Sequence, residues 1–237
     1  MNKRIRVAID GPSGAGKSSI AKEAAALTGL IYVDTGALYR TVGLYAATHG
    51  IDAMDKDGII ACLPDISISL TRENGEQHVI LCGEDVGDRI RTEEASRYAS
   101  AVSKLPEVRR FLFGLQRELA ERGGVIMDGR DIGTVIMPDA ELKIFMDASP
   151  ETRAKRRCRE QLERGENVSY DEVLRAIIER DKQDMERETA PLRPAPDAIS
   201  FHNDDENATV RDAALKIVAM IEDAERKSGM TAARDAQ

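Results

Sequence analysis

Gly11-Pro12-Ser13-Gly14-Ala15-Gly16-Lys17-Ser18 follows directly on the apolar run Ile5-Arg6-Val7-Ala8-Ile9, and this junction decides the fold. The stretch fits the phosphate-loop pattern G-x-x-x-x-G-K-[ST] in the setting that pattern requires, a short buried strand before it and a helix after it. Glycines let the backbone turn tightly and aim successive N–H groups inward as an anion-binding nest. The positive end of the following helix, expected from about Lys17 to Leu27, adds a field that favours phosphate. Lys17 is then placed to reach the β- and γ-phosphates of a nucleoside triphosphate, and the Ser18 hydroxyl to ligate Mg²⁺. A glycine-rich turn that binds nothing is the alternative, and it does not call for the lysine and the hydroxyl together.

Outward from this loop the chain alternates strands and helices. The first helix is expected to stop at Gly29, and Leu30-Ile31-Tyr32-Val33 reads as a second strand closing a strand–loop–helix–strand unit of the kind found in parallel sheets. Asp34-Thr35-Gly36 is a turn at that strand's C-terminal end, where open α/β sheets bind ligands. Ala37 to Thr48 reads as a helix stopped by Gly50. Between 51 and 92 the pattern changes: Ile66-Ser67-Ile68-Ser69-Leu70 alternates, Asn74-Gly75 signals a turn and His78-Val79-Ile80-Leu81 returns, so a small antiparallel insertion is expected. Glu107 to Arg122 is a long amphipathic helix with Val108, Phe111, Leu112, Leu115 and Leu119 as its apolar stripe. Val125-Ile126-Met127 and Leu142-Lys143-Ile144-Phe145-Met146 are two further buried strands. Ser149-Pro150-Glu151 opens an arginine-rich helix, Ser169-Tyr170-Asp171-Glu172 reads as a capping box for another, and Pro191 to Pro196 is a broken loop. Ala198-Ile199-Ser200-Phe201 is the last strand, Thr209 to Arg226 the last helix, and the polar tail from Lys227 is expected to fray. The fold class is α/β, a parallel sheet with flanking helices.

Composition limits the function. A chain of 237 residues accommodates one large α/β domain with small appended lobes. The formal charge of −8 argues against non-specific nucleic-acid binding, which needs clustered positive surface. Cys62, Cys82 and Cys158 lie far apart without metal spacing, which suggests unpaired thiols in a reduced cytoplasmic protein. His49, His78 and His202 are too scattered to argue a metal site or a nucleophile–base pair, and are taken as surface or packing residues. No stretch reaches the roughly 18 apolar residues of a membrane span. A monomer with no membrane and no nucleic-acid partner is expected, because no large apolar helix face is left over.

A phosphate loop alone says only that a triphosphate binds. Four arginine-plus-acid groups compete for the rest of the chemistry: Asp34-Thr35-Gly36-Ala37-Leu38-Tyr39-Arg40, Asp128-Gly129-Arg130-Asp131, the helical series Arg180, Asp184 and Arg187, and the basic run Arg153, Lys155, Arg156, Arg157 and Arg159. Each has a plainer reading. Arg180 and Asp184 could form only an i,i+4 surface pair worth a few tenths of a kcal/mol (about 0.3), and the basic run could be a solvated face. Asp128 could cap a turn, or could end an apolar strand as an acid that supports Mg²⁺ through water. Phosphoryl transfer asks for charge neutralisation rather than covalent chemistry, so converging arginines beside a phosphate cradle are the expected equipment.

IDGPSGAGKSS, VDTGALYR, MDGRDIGTVIMPDAELKIFMDASPETRAKRR and ERDKQDMERETAPLRP, in this order over roughly residues 5 to 225, together resemble bacterial cytidylate kinase. The resemblance implies a P-loop kinase fold with a parallel five-stranded core (1–35, 93–148 and 190–226), a nucleoside-monophosphate lobe enlarged by a β insertion (36–92), a helical lid (149–170) and a disordered tail (227–237). It implies transfer of the γ-phosphoryl group of ATP to CMP or dCMP with Mg²⁺ as cofactor. Gly11, Pro12, Ser13, Gly14, Ala15, Gly16, Lys17, Ser18, Ser19 and Arg156 would bind ATP. Thr35, Ser100, Arg109 and Asp131 would read the base, with Tyr39 also binding CMP; Arg40, Arg130 and Arg187 would grip the acceptor phosphate; Arg180 and Asp184 would contact the sugar. Arg153, Arg156 and Arg157 would close over the transferring group. The sequence departs from the family pattern at Thr35, commonly Ser, and at Ser18, which some members replace by Gly.

A separate chemical case favours cytosine. Its N4 donates beside the N3 and O2 acceptors, so a carboxylate and a guanidinium complement it, whereas uracil reverses the first requirement. Asp131 and Arg109 supply such a pair. A related kinase with another acceptor such as UMP is the nearest rival. A GTP-hydrolysing switch would normally carry N-K-x-D, and none follows the loop; a nucleic-acid-associated ATPase is disfavoured by the charge.

Overall fold

The structure is a computed structural model describing residues 4–73 and 76–230, and it falls into two compact units. One is built from the chain up to Tyr32 and from Arg122 onward, the other from Val33–Glu121.

In the first unit, β1 (Arg6–Asp10), β6 (Val125–Gly129), β7 (Leu142–Asp147) and β8 (Ile199–His202) pair in parallel. With β2 (Ile31–Asp34) they make a five-stranded sheet of order β2-β6-β1-β7-β8. The strand–loop–helix–strand expectation therefore needs one refinement: β6 stands between β1 and β2. Every residue of β1 and β6 is buried, which is why they read as unbroken apolar runs. Helix α1 (Lys17–Thr28) ends at Gly29, which takes the expected left-handed conformation. Its Ala21, Ala24 and Ala25 share a core with Ala213, Ala214, Ile217 and Ile221 of α8 (Val210–Ser228). Small side chains on both helices let the backbones approach closely over Ile9 and Ile144. A capping box between Thr209 and Asp212 starts α8, which continues to Ser228; the tail beyond 230 lies outside the described residues.

Helix α6 (Pro150–Glu163) begins as expected, with the Ser149 hydroxyl accepting from the Thr152 N–H. Helix α7 (Tyr170–Glu186) does not: Ser169 occupies the cap position, but its side chain makes no capping hydrogen bond, so the expected capping box is not formed. Asp171 and Glu172 still place negative charge in the first turn, where the helix dipole favours it. The last strand begins one residue later than its apolar run suggests.

The second unit packs α2 (Thr35–Thr48) on α4 (Glu93–Val102) and α5 (Pro106–Glu121), with a core that includes Leu38, Val42, Val102, Val108 and Leu112. On α4 the buried Ala95, Tyr98, Ala99 and Val102 recur at helical spacing, although none of the expected helices covers them, and a short α3 (Lys56–Cys62) precedes it. The expected insertion is a three-stranded antiparallel sheet, β3 (Ile68–Glu73), β4 (Glu76–Leu81) and β5 (Glu84–Asp85). Its Asn74-Gly75 turn lies outside the described residues. On α5 the stripe is rotated from expectation: Val108 and Leu112 are buried together with Arg109 and Gln116, while Phe111 is exposed. Cys62, Cys82 and Cys158 are free thiols. Among the described residues no helix is long and apolar enough to cross a membrane.

Candidate active site

The phosphate loop spans the end of β1 and the start of α1, on the strand flanked by both β6 and β7. Gly11 has φ +153°, and a Cβ there would lie 1.8 Å from the Met146 carbonyl oxygen, so only glycine fits. Gly16 stands at the cap position of α1 without any side-chain cap, leaving the first-turn N–H groups to an anion. The loop's outward carbonyls are taken by donors. Lys17 Nζ donates to Pro12 O at 2.7 Å, Arg153 to Ser13 O at 3.2 Å and Asn203 Nδ2 to Ala15 O at 2.9 Å. Turning these oxygens outward orients the intervening N–H groups inward. Lys17 is buried, and burial, with Arg130 adding repulsion, pushes its pKa down from the ordinary lysine value. A phosphate beside it restores the charge.

Ser18 Oγ donates to Asp128 Oδ2 at 2.7 Å, and Tyr32 OH donates to Asp128 Oδ1 at 3.1 Å. Asp128 is buried and paired in register with Ile9, next to the loop. A hydroxyl and a carboxylate at this separation are the hard oxygen donors that Mg²⁺ takes, with the remaining positions left to water and phosphate oxygens. Among the described residues no cluster of three acidic, histidine or cysteine side chains could hold a metal unaided. The Ser18 hydroxyl and Asp128 carboxylate are the kind of donors that a cation shared with a nucleotide would take.

Beyond β6, Arg130, Asp131, Asp184 and Arg187 converge. Arg130 Nε donates to Asp184 Oδ2 at 3.0 Å, Arg187 NH1 lies 3.7 Å from Asp184 Oδ1, and Arg187 NH2 donates to Asp131 Oδ1 at 3.5 Å. Burial pushes the Asp184 carboxyl up, but Arg130, Arg180 and Arg187 outweigh it and hold the group below the ordinary carboxylate range. The plain i,i+4 surface pair is thus not what Asp184 makes: its oxygens face arginines from two elements. Arg187 Nε also donates to Ala190 O at 2.6 Å.

The arginines of α6 are distributed differently. Arg153 is 2% exposed; besides Ser13 O it donates to Ala148 O at 2.8 Å, and its two terminal nitrogens meet both oxygens of Asp181 on α7. Arg156 donates to Asn203 O at 2.8 Å, and Arg157 is half-buried. In the second unit, Asp34 caps α2 through the Ala37 N–H and pairs with Arg40 at 2.6 Å. The Arg109 guanidinium lies 5.6 Å from the Tyr39 ring centroid and donates to Ser103 O, while Thr35 is buried at the start of α2 and Ser100 half-buried on α4. Asp10, Tyr32, Asp181 and Asn203 were not among the expected site residues. Asp181 lies within the ERDKQDMERE block, but nothing in the chain marks Asn203, 188 residues from Ala15.

Asp10, the last residue of β1, is buried, and its carboxylate accepts from the Ile132 and Gly133 N–H groups at 2.7 Å each. Burial raises its pKa from 3.8 to about 7, against the two N–H groups and the opposing Lys17 charge, with Asp131 adding to the rise. Because the unfolded chain releases this proton first, the group's contribution is complete below pH ~4 and is lost as pH rises to about 7, at about 1.4 kcal/mol per pH unit. Urea unfolding of wild type and Asp10→Asn at pH 5 and pH 7.5 checks this. The stability difference between the two should shift against wild type at the higher pH.

A parallel sheet with a phosphate loop ending its central strand, a serine–aspartate pair beside the loop and an arginine cluster beyond it defines a P-loop kinase. The chain belongs to the cytidylate kinase family, whose model matches residues 7–223. It is 48% identical to the cytidylate kinase of Caldicellulosiruptor saccharolyticus over 92% of this chain and 96% of that protein. Against the cytidylate kinase of Bacillus licheniformis it is 44% identical, covering 94% of this chain and 98% of the relative. A solved structure of an uncharacterized protein from Eubacterium ventriosum shares the fold, with TM-score 0.50 at 16% identity over 93% of this chain and 99% of that one.

Proposed function

We propose that this chain transfers the γ-phosphoryl group of ATP to CMP or dCMP, giving ADP and CDP or dCDP. The observation that carries this reading is the Arg130–Asp184–Arg187–Asp131 cluster, built in the same unit as the phosphate loop and Lys17. Two anionic nucleotides repel each other, and a buried lysine with converging guanidiniums is what offsets that repulsion.

In this reading the loop N–H groups, Ser13, Ser19 and Lys17 hold the triphosphate. Ser18 and, through water, Asp128 would hold Mg²⁺, which when bound neutralises phosphate charge. Arg40, Arg130 and Arg187 hold the acceptor phosphate, which is already anionic and needs no general base. Asp184 accepts from sugar hydroxyls with Arg180 beside it. Asp131 accepts from cytosine N4 while Arg109 donates to its ring, with Thr35, Ser100 and Tyr39 completing the base contacts. Arg156 and Arg157 close over the donor. Arg153 reaches the transferring group only if its pair with Asp181 opens; in place it braces Ser13. Closure excludes water that would otherwise hydrolyse ATP. A cytoplasmic monomer acting on small nucleotides belongs to the same proposal.

An ADP-release assay with CMP, dCMP, UMP and AMP tests it: CMP and dCMP should be turned over at least tenfold better (roughly 1.4 kcal/mol in transition-state binding) than UMP and AMP. A UMP preference would install the neighbouring-acceptor reading instead, and GTP hydrolysis without any acceptor would install the switch. Asp131→Ala should lower the CMP:UMP ratio of kcat/KM by about 10²-fold, because a site built around a carboxylate rejects the base that lacks the donor. An unchanged ratio removes Asp131 from base selection.

A further inference from the structure

We propose that Asp10 is a positioning residue for acceptor choice: its carboxylate holds the backbone of Ile132 and Gly133 and so frees the Asp131 side chain to face the acceptor. Asp131 stands at the cap position of a short π-helical turn, 132–136, with φ −147° and ψ 25°. An aspartate there ordinarily accepts from the N–H groups of its own first turn. Asp131 makes no such bond. Asp10 Oδ1 takes the Ile132 N–H and Oδ2 the Gly133 N–H, each at 2.7 Å, from a different strand. The orphan donors of the turn are thus satisfied from outside. The Asp131 carboxylate is left to turn toward Arg187.

The choice of aspartate follows from hydrogen-bond arithmetic. The two adjacent N–H groups are met here by two separate acceptor oxygens on one short side chain, and an amide offers only one. Asp10→Asn sets an NH₂ against a backbone N–H and releases one of the pair. Asp131 can then cap its own turn, and its side chain leaves the direction of Arg187. A neutral packing role would not require a buried carboxylate beside a second carboxylate, an arrangement whose cost shows in the raised pKa of Asp10.

The proposal rests on the reading of Asp131 as the cytosine-selecting group, and the experiment separates the two. The kcat/KM ratio for CMP over UMP, with KM for ATP alongside, is measured for wild type, Asp10→Asn, Asp131→Ala and the double variant. Asp10→Asn should lower the ratio about tenfold, the cost of one charged hydrogen bond, through KM for CMP and with KM for ATP within about twofold. In the Asp131→Ala background it should lower the ratio no further. An unchanged ratio in Asp10→Asn, a loss that adds fully to that of Asp131→Ala, or a rise confined to KM for ATP overturns the inference and leaves the reading of Asp131 standing. An unchanged ratio in Asp131→Ala alone overturns that reading, and the inference with it. Gly133→Ala supplies the same test from the other partner if Asp10→Asn does not fold. Its Cβ would sit 3.3 Å from both Asp10 Oδ2 and Lys143 Cδ and press on the Asp10 carboxylate by a few tenths of an ångström, while no titratable group changes.

Discussion

Lys17→Met should lower kcat for CMP phosphorylation about 10³-fold while leaving the empty protein at least as stable as wild type. Methionine matches the length of the lysine stem and keeps its packing against the loop. The charge is what disappears, and in the proposed reaction that charge would meet the β- and γ-oxygens in the transition state. In the empty protein the same charge is a liability. Lys17 is buried, its ammonium bonded to one carbonyl, and its pKa is driven down by that burial. Removing a buried cation relieves a desolvation cost, so thermal unfolding without nucleotide should move level or upward. Added ATP should raise the melting temperature of wild type but not of the variant. A variant that retains a tenth or more of wild-type kcat (a loss of roughly 1.4 kcal/mol or less) would remove Lys17 from the chemistry.

The second large effect concerns stability. Arg153 and Asp181 form a two-pronged ion pair joining α6 to α7, with Arg153 2% exposed. Asp181→Ala leaves a buried guanidinium with only the carbonyls of Ala148 and Ser13, which should cost about 3–5 kcal/mol, or roughly 10 °C in melting temperature. Replacing both partners, Arg153→Met with Asp181→Leu, should recover most of that loss, since well-packed apolar groups are often as stable as the pair they replace. Activity separates structure from chemistry. If Arg153 only braces the loop, the double variant recovers kcat with stability; if it also contacts the transferring group, kcat stays low in a well-folded protein. A drop of less than about 3 °C for Asp181→Ala (near 1 kcal/mol) would show that the pair is dispensable to the fold.

The phosphate loop was legible because it is local. Its strand, its glycines and its helix are contiguous, and each residue type has one physical reason to be there. The β insertion was legible too, through alternation at 66–70 and 78–81. Strand order was not, because nothing in Leu30–Val33 or Val125–Met127 says which of them lies against β1. On α5, hydrophobicity pointed to Phe111, but the helix buries Arg109 and Gln116, as a functional face does when polar groups find partners inside. The arginine-and-acid blocks were visible as candidates, yet their pairing was not. Asp184 read as the partner of Arg180 on its own helix, while Arg130 and Arg187 also reach its carboxylate. Ser169 shows the opposite failure, a capping signature without the cap.

The bond from Asn203 to Ala15 also bears on how the protein is made. The phosphate loop is translated well before β8, and the side chain that turns its Ala15 carbonyl outward comes 188 residues later, just after β8. Such a distant closure must wait until long-range entropy has been overcome. A nascent chain that has emerged only as far as β7 therefore carries the whole motif without the clasp that shapes it, and acquires a settled cradle only once β8 and Asn203 have followed.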